Sequence, residues 1–198
     1  ERMLERLLDN ACLSSEPVRL SYRDAFLRYA DIDPLRAETS LLAERVNADA
    51  DLRTAVGDHR DAWLDLVMAT IVAPAFEPNR LTCIAHYPAS QAALARLCPA
   101  DPELADRFEV YCGNIELANG YVELTDGGEQ RRRFALDQQM RRERGQQPGP
   151  IDTKLLEALD AGLPDCAGVA VGFDRLLMIR AGKNDIRQVQ HFPHEDGR

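Results

Sequence analysis

Apolar positions recur at helical spacing through the first part of the chain and at alternate positions through the second. The change of period near Leu81 predicts an α+β protein. Leu4, Leu7, Leu8, Ala11 and Cys12 stripe one face of a segment from Glu1 to Leu13, which Ser14-Ser15-Glu16-Pro17 ends. Ser21, with Asp24 three residues on, has the spacing of a capping pair and opens a helix carrying Tyr22, Phe26 and Tyr29 toward Asp31 and Pro34. A third helix is predicted from about Ala37 to Val46. A fourth runs from about Asp58 to Ala73, with Trp63, Leu66, Val67 and Ile71 on its buried side and Pro74 and Pro78 closing it. Residues 1–80 therefore read as helical, with Trp63 a core residue rather than a ligand platform.

From Leu81 to Ala85 the pattern is that of a strand, followed by His86-Tyr-Pro-Ala-Ser-Gln91 and one or two helical turns within Ala92 to Leu97. Arg107 to Cys112 alternates, Gly113-Asn114 supplies a hairpin turn, and Ile115 to Leu124 returns as the antiparallel partner. Thr125-Asp126 begins a helix in which Asp126 and Glu129 have capping-box spacing. Asp152 caps the next one, which carries Leu155, Leu156 and Leu159 and ends at Gly162. Val169 and Val171 predict a buried strand, and Gly172 and Asp174 a turn into a last helix. A tail with Ile186, Val189 and Phe192 is expected to pack back on the sheet. The expected organisation is one unit, 1–80 helical and 81–198 a sheet with helices.

With 29% charged and 45% hydrophobic residues among 198, the composition is that of an ordinary soluble domain. No apolar run is long enough for a bilayer span and no leader pattern opens the chain, so a cytoplasmic protein is expected. Five scattered cysteines without a C-x-x-C pair suggest neither a disulfide framework nor a zinc site. A formal charge of −9 disfavours tRNA or DNA as a dedicated partner. The exception is the segment holding Arg131, Arg132, Arg133, Arg141, Arg142 and Arg144, for which a solvated face is favoured over a docking surface. A chain that opens in mid-helix without Met also reads as a piece of a longer protein.

Two places carry candidate chemistry. In Gly168-Val-Ala-Val-Gly172-Phe-Asp174-Arg175, an Arg just inside an apolar helix, beside a helix N-terminus that favours anions, suits a phosphate, and bare Gly172 lets a ring or ribose lie against the backbone. The alternative is an ordinary pair with a carboxylate. Glu116 and Glu123 lie seven apart on one strand and would face opposite sides. A bulge at Asn119-Gly120 would restore the phase and aim both at a hard divalent cation. The alternative is an edge strand with solvated acids. His86, with no visible partner, reads as structural.

Gly168 to Met178 resembles motif 3 of the class II aminoacyl-tRNA synthetases of the lysyl subgroup. Ile115-Glu-Leu-Ala-Asn-Gly-Tyr-Val-Glu-Leu124, with Thr125-Asp126 and Glu129-Gln130, resembles the preceding strand and helix. His86 to Ala92, Arg107-Phe-Glu-Val-Tyr111 and Pro164-Asp-Cys-Ala-Gly168 are similar to the lysyl-tRNA-synthetase-like ligases that attach β-lysine to a lysine of elongation factor P. The similarity runs from about Leu20 to Ile179. It implies a class II antiparallel sheet flanked by helices, an aminoacyl-adenylate mechanism using ATP and Mg²⁺, lysine or β-lysine as substrate and elongation factor P as acceptor. It also implies Arg175 at the γ-phosphate and in catalysis, and Gly172 backing the nucleotide. Glu116 and Leu117 would line the ATP site, with Glu116 near the metal. Glu123 would hold an amino group of the substrate, close to the metal as well. Ala170 stands where lysyl-tRNA synthetases carry Gly, a change of pocket floor by one methyl.

Motifs 1 and 2 of that family should lie upstream of Glu1. The core is therefore expected to be truncated, the chain alone inactive in lysine activation, and the full-length protein a homodimer. A lysyl-tRNA synthetase is the nearest rival reading, disfavoured by the acidic balance, Pro164-Asp-Cys166 and Ala170. A synthetase-like module without catalysis is the rival of another class, opposed by the joint presence of Glu116, Glu123 and Arg175.

Overall fold

The computed structural model describes residues 3–5, 7–8 and 16–192. Of the helix expected over Glu1 to Leu13, residues 3–5 and 7–8 are helical, with Leu4 and Leu8 buried; the rest lies outside the described residues. Ser21 caps α1 (Tyr22–Ala30) as expected, its Oγ accepting from the Asp24 N–H. It is preceded by a strand the sequence did not reveal, β1 (Val18–Ser21). Two short helices follow, α2 (Thr39–Arg45) and α3 (Ala50–Val56), the second without a buried residue and hence without an apolar stripe to betray it. Helix α4 (Arg60–Val67) widens into a π-helical turn, Met68–Val72, and ends in a 3₁₀ turn at Ala73–Ala75. Pro74 can neither donate nor tolerate the carbonyl four residues back, which accounts for the loosened turn ahead of it. Trp63 is in the core, as predicted, donating from Nε1 to the Gly57 carbonyl at 2.8 Å.

The sheet is completed by β2 (Leu81–Pro88), β3 (Leu97–Cys98), β4 (Asp101–Cys112), β5 (Ile115–Val122) and β6 (Ala167–Val171), in the order β1-β2-β4-β5-β6 with β3 beside β4. It is mixed rather than wholly antiparallel, because β1 runs parallel to β2; the helices between them form the crossover that a parallel pair needs. Gly113 takes φ +55° at the first position of the β4–β5 turn, a conformation that glycine adopts without strain.

Alternation along β2, β4 and β5 separates two cores. One face, with Ile84, Tyr87 and Tyr111, packs on Tyr22, Phe26, Trp63 and Val67 of the helical segment. The other, with Leu81, Val110 and Leu117, packs on Leu4, Leu8 and Leu176. A buried leucine in either cluster contributes about 2–5 kcal/mol against alanine. Strand β6 is an edge, with Val169 56% exposed, and not the buried strand its valines suggested. The tail, expected on the sheet, is found against the last helix as far as it is described, and residues from 193 on lie outside the described residues. Its 3₁₀ turn (Ile186–Gln188) lies beside α7 (Phe173–Arg180), Gln190 bonds Asp174, and Phe192 is exposed.

Helix α5 (Gly127–Glu143) is capped by Asp126, whose Oδ1 accepts from the N–H of Gly128 and Glu129. Glu129 does not complete a capping box; it pairs with Arg132 and Arg133 at 2.7 and 2.8 Å. Arg131 pairs with Asp160 of α6 (Thr153–Ala161), Arg141 with Asp137, and Arg133 also reaches the carbonyls of Ala93 and Ala95. Four of the six arginines of the basic run are thus paired with carboxylates within the fold, while Arg142 bonds Gln138 and Arg144 stands 3.3 Å from the His59 ring.

Two consequences are measurable. A Cβ on Gly120 would lie 2.5 Å from the Gly168 carbonyl and 2.7 Å from the Phe108 ring. Gly120→Ala should therefore lower unfolding free energy by about 1–3 kcal/mol in urea, and an unchanged midpoint would contradict the packing. The arginines hold the Glu129 carboxyl down at about 2, well below its ordinary 4.5. Since the folded-state value is depressed, this stabilisation is complete above about pH 5 and is lost as pH falls through 2. Glu129→Gln should flatten that part of the acid-denaturation profile; an unaltered profile would show the pairs contribute nothing.

Candidate functional site

A cleft of about 750 Å³ opens between the polar face of the sheet and the helical segment, reaching from Tyr22 and Asp65 to Glu116 and Arg175. Its floor follows from the registers. Opposed residues in an antiparallel pair share a face, and Tyr111 faces Glu116, Glu109 faces Asn119 and Arg107 faces Tyr121. Between Ala118 and Glu116 the register shifts, leaving Leu117 without a counterpart. That bulge changes the phase of β5, so Glu116, Asn119 and Tyr121 line up on one side and Glu123 follows in step.

The phase correction expected from the sequence is therefore present, but at Leu117 and not at Asn119-Gly120. Gly120 serves close packing instead, against Gly168 and Phe108. Leu117 turns its side chain into the core, 1% exposed, and its carbonyl accepts from the Gly172 N–H at 2.8 Å. It does not line the cleft with its side chain; any ligand contact is through its main chain.

Arg175 and Glu116 meet. Nη1 of Arg175 donates to the Glu116 carbonyl at 2.8 Å and stands 3.5 Å from Oε2, while the Asn119 amide donates to Oε1 at 3.2 Å. The side chains are 48% and 33% exposed, so this looser pair stays open to a ligand. Gly172 is the N-cap of α7; a Cβ there would touch Arg175 Cδ at 3.4 Å and crowd the guanidinium's path.

Glu123 shares the face but not the place. Seven residues of strand at about 3.3 Å each put it roughly 20 Å from Glu116, too far for both carboxylates to hold one ion. It sits against β6, where a Cβ on Gly168 would lie 2.8 Å from its Oε1. Ala170, opposite Asn119, is on the cleft side of that edge strand and exposed.

The acid close to Glu116 is one the sequence reading passed over. Glu109 is 8% exposed, Oε1 accepting from Arg107 at 2.6 Å and Oε2 from the Tyr111 hydroxyl at 2.5 Å. Burial, and secondarily the Glu109 charge, push the Tyr111 phenol far above its usual range. Arg107 also lies over the Tyr87 ring at 4.5 Å and donates to the Gln91 carbonyl. The signal was present in Arg107-Phe-Glu-Val-Tyr111, since three polar groups at alternate positions of a strand paired on both sides must share a buried polar face. His86, placed out of strand by φ +58° at a bulge in β2, lies near Cys98 and Asp106 rather than in the cleft, and Arg96 holds Asp106 at 2.8 Å.

A match to the family described as class II tRNA synthetases (D, K and N) covers residues 1–196. The chain is 46% identical over 195 residues to the elongation factor P–(R)-β-lysine ligase of Yersinia enterocolitica, covering 98% of this chain and 58% of that protein. The ligases of that name from Proteus mirabilis and Klebsiella pneumoniae are 47% and 46% identical, each with 96% of this chain and 58% of the relative covered. The chain thus spans about three fifths of the length of these curated relatives.

Replacing Glu109 with Leu would strip Arg107 and the Tyr111 hydroxyl of their acceptor. A loss of about 1–3 kcal/mol in urea unfolding is expected, and no loss would show the buried network is dispensable.

Proposed function

This chain belongs to the family of class II tRNA synthetases of the D, K and N group, and from that premise we propose that the whole protein activates lysine or β-lysine with ATP and transfers it to a lysine of elongation factor P. The observation that carries the reading is the open Arg175–Glu116 pair on a cleft also lined by Glu109 and Tyr111. The substrate and acceptor classes follow those in the names of the relatives.

The amino acid's carboxylate oxygen attacks the α-phosphorus of ATP, and the bond to pyrophosphate breaks. This chain contributes Arg175, which neutralises charge on the terminal phosphates, and Gly172, which leaves the backbone open for the nucleoside. Glu123, roomy beside bare Gly168, takes an amino group of the substrate, with Ala170 beside it shaping the floor. The donor set fits Mg²⁺: Glu116 has lone pairs free for a hard cation, and Glu109 on the neighbouring strand is the second carboxylate. Bound there, the ion would offset phosphate charge. An amine of the acceptor then displaces AMP from the adenylate carbonyl. A protein that acts on a translation factor would work in the cytoplasm; separately, among the described residues no helix is long and apolar enough to cross a membrane.

Arg175→Ala in the full-length protein should lower ATP–pyrophosphate exchange by about 10²-fold or more. Exchange at the unmodified rate would remove Arg175 from the site. Running the transfer step with elongation factor P and with tRNA in parallel tests the acceptor; charging of tRNA alone would overturn the proposed one.

A further inference from the structure

Charge is not balanced along the cleft. Glu109 has Arg107 and Glu116 has Arg175, but among the described residues no ion pair reaches Asp61 or Asp65. Their partners are neutral: Ser90 donates to Asp61 at 2.7 Å and the Gln91 amide to Asp65 at 2.8 Å. The two carboxylates sit one turn apart on α4, an arrangement that costs a helix stability unless a cation lies between.

A second observation comes from buried oxygens at the same wall. The Tyr22 hydroxyl and Gln91 Oε1 are both inaccessible and lack a hydrogen-bond partner, and Tyr22 is 1% and Gln91 8% exposed. Both residues line the cleft, and burial, followed by the charges of Asp65 and Asp61, raises the Tyr22 phenol well above its ordinary value. With the Gln91 amide nitrogen already spent on Asp65, this wall holds two carboxylates, an amide oxygen and a phenol oxygen. A ligand matching it brings several N–H donors and a positive charge on a compact head, which describes an ammonium rather than a planar guanidinium.

We infer that Asp61 and Asp65, with Tyr22 and Gln91, form a subsite for a primary ammonium group, separate from the Glu116–Arg175 end of the same cleft. Asp65 is exposed as a residue, and its carboxyl is raised from its ordinary value by partial burial and then by the Asp61 charge, the direction expected of paired acids without a counter-ion. Arg107 acts the other way on Asp65, yet its own bonds go to Glu109 and the Gln91 carbonyl. In the reaction proposed above, on which the assignment of the ligand's source rests, such a group belongs either to the amino acid being activated or to the acceptor lysine.

The test has a binding arm independent of catalysis. Nα-acetyl-lysinamide, which carries one side-chain ammonium, and its Nε-acetyl counterpart, which carries none, are titrated into the full-length protein by calorimetry. The charged probe should bind, the neutral one should not, and Asp65→Asn and Asp61→Asn should each weaken the charged probe at least tenfold without lowering the melting temperature. Equal behaviour of the two probes, or of variants and unmodified protein, overturns the subsite. The second arm identifies the source. A KM rise of tenfold for lysine or β-lysine in pyrophosphate exchange assigns the ammonium of the activated amino acid; the same rise only for the acceptor protein in transfer assigns the acceptor. Absence of any exchange in the unmodified full-length protein would overturn the proposed reaction while leaving the binding arm to decide the subsite.

Discussion

The site depends on one extra residue in β5. An antiparallel strand that ran through Leu117 without a bulge would turn Asn119, Tyr121 and Glu123 away from the face that holds Glu116. The bulge is held from both sides. Leu117 fills the lower core with its side chain, and its carbonyl anchors the Gly172 N–H at the start of α7. The same contact sets where Arg175, one turn into that helix, can reach Glu116. Packing on one face of the sheet thereby fixes polar geometry on the other.

The cleft shows how buried polarity is made tolerable. Glu109 would be costly alone in this setting, but Arg107 and Tyr111 satisfy both its oxygens. That network spends one lone pair on each Glu109 oxygen and keeps one free, Glu116 has more spare capacity still, and among the described residues Asp61 and Asp65 are acids of the cleft without an ion pair. The helical segment is more than a cover for the sheet. Through α4 and the widened turn after it, it supplies the second wall of the cleft and two of its four carboxylates, Asp61 and Asp65.

Much of this was legible in the chain. Caps at Ser21, Asp126 and Asp152 announced three helices, because their short side chains bond only to backbone groups two or three residues away. The Gly113-Asn114 turn and the strand–turn–helix around Gly172 were equally local. What escaped was set by distant partners. Strand β1 is four residues long and exists because β2 offers a parallel edge. Backbone freedom written in the sequence points to a bulge at the glycine, whereas the bulge lies at Leu117, where two long-range contacts decide it. Val169 reads as core but belongs to an edge strand. The Glu109 network was visible as alternation, yet only the register with β5 shows that Glu109 lies opposite Asn119 and its partner Tyr111 opposite Glu116.

In the proposed function, the Leu117 bulge brings Glu116 and Glu109, from adjacent strands, to one ion beside Arg175. A crystal structure of the full-length protein with ATP and Mn²⁺ in place of Mg²⁺, phased on the manganese anomalous signal, tests it directly. The account predicts a peak within coordination distance of Glu116, on the Glu109 side, with a phosphate of the nucleotide against Arg175. A peak bound by Glu123 and distant from Glu116, or phosphates out of reach of Arg175, would contradict it.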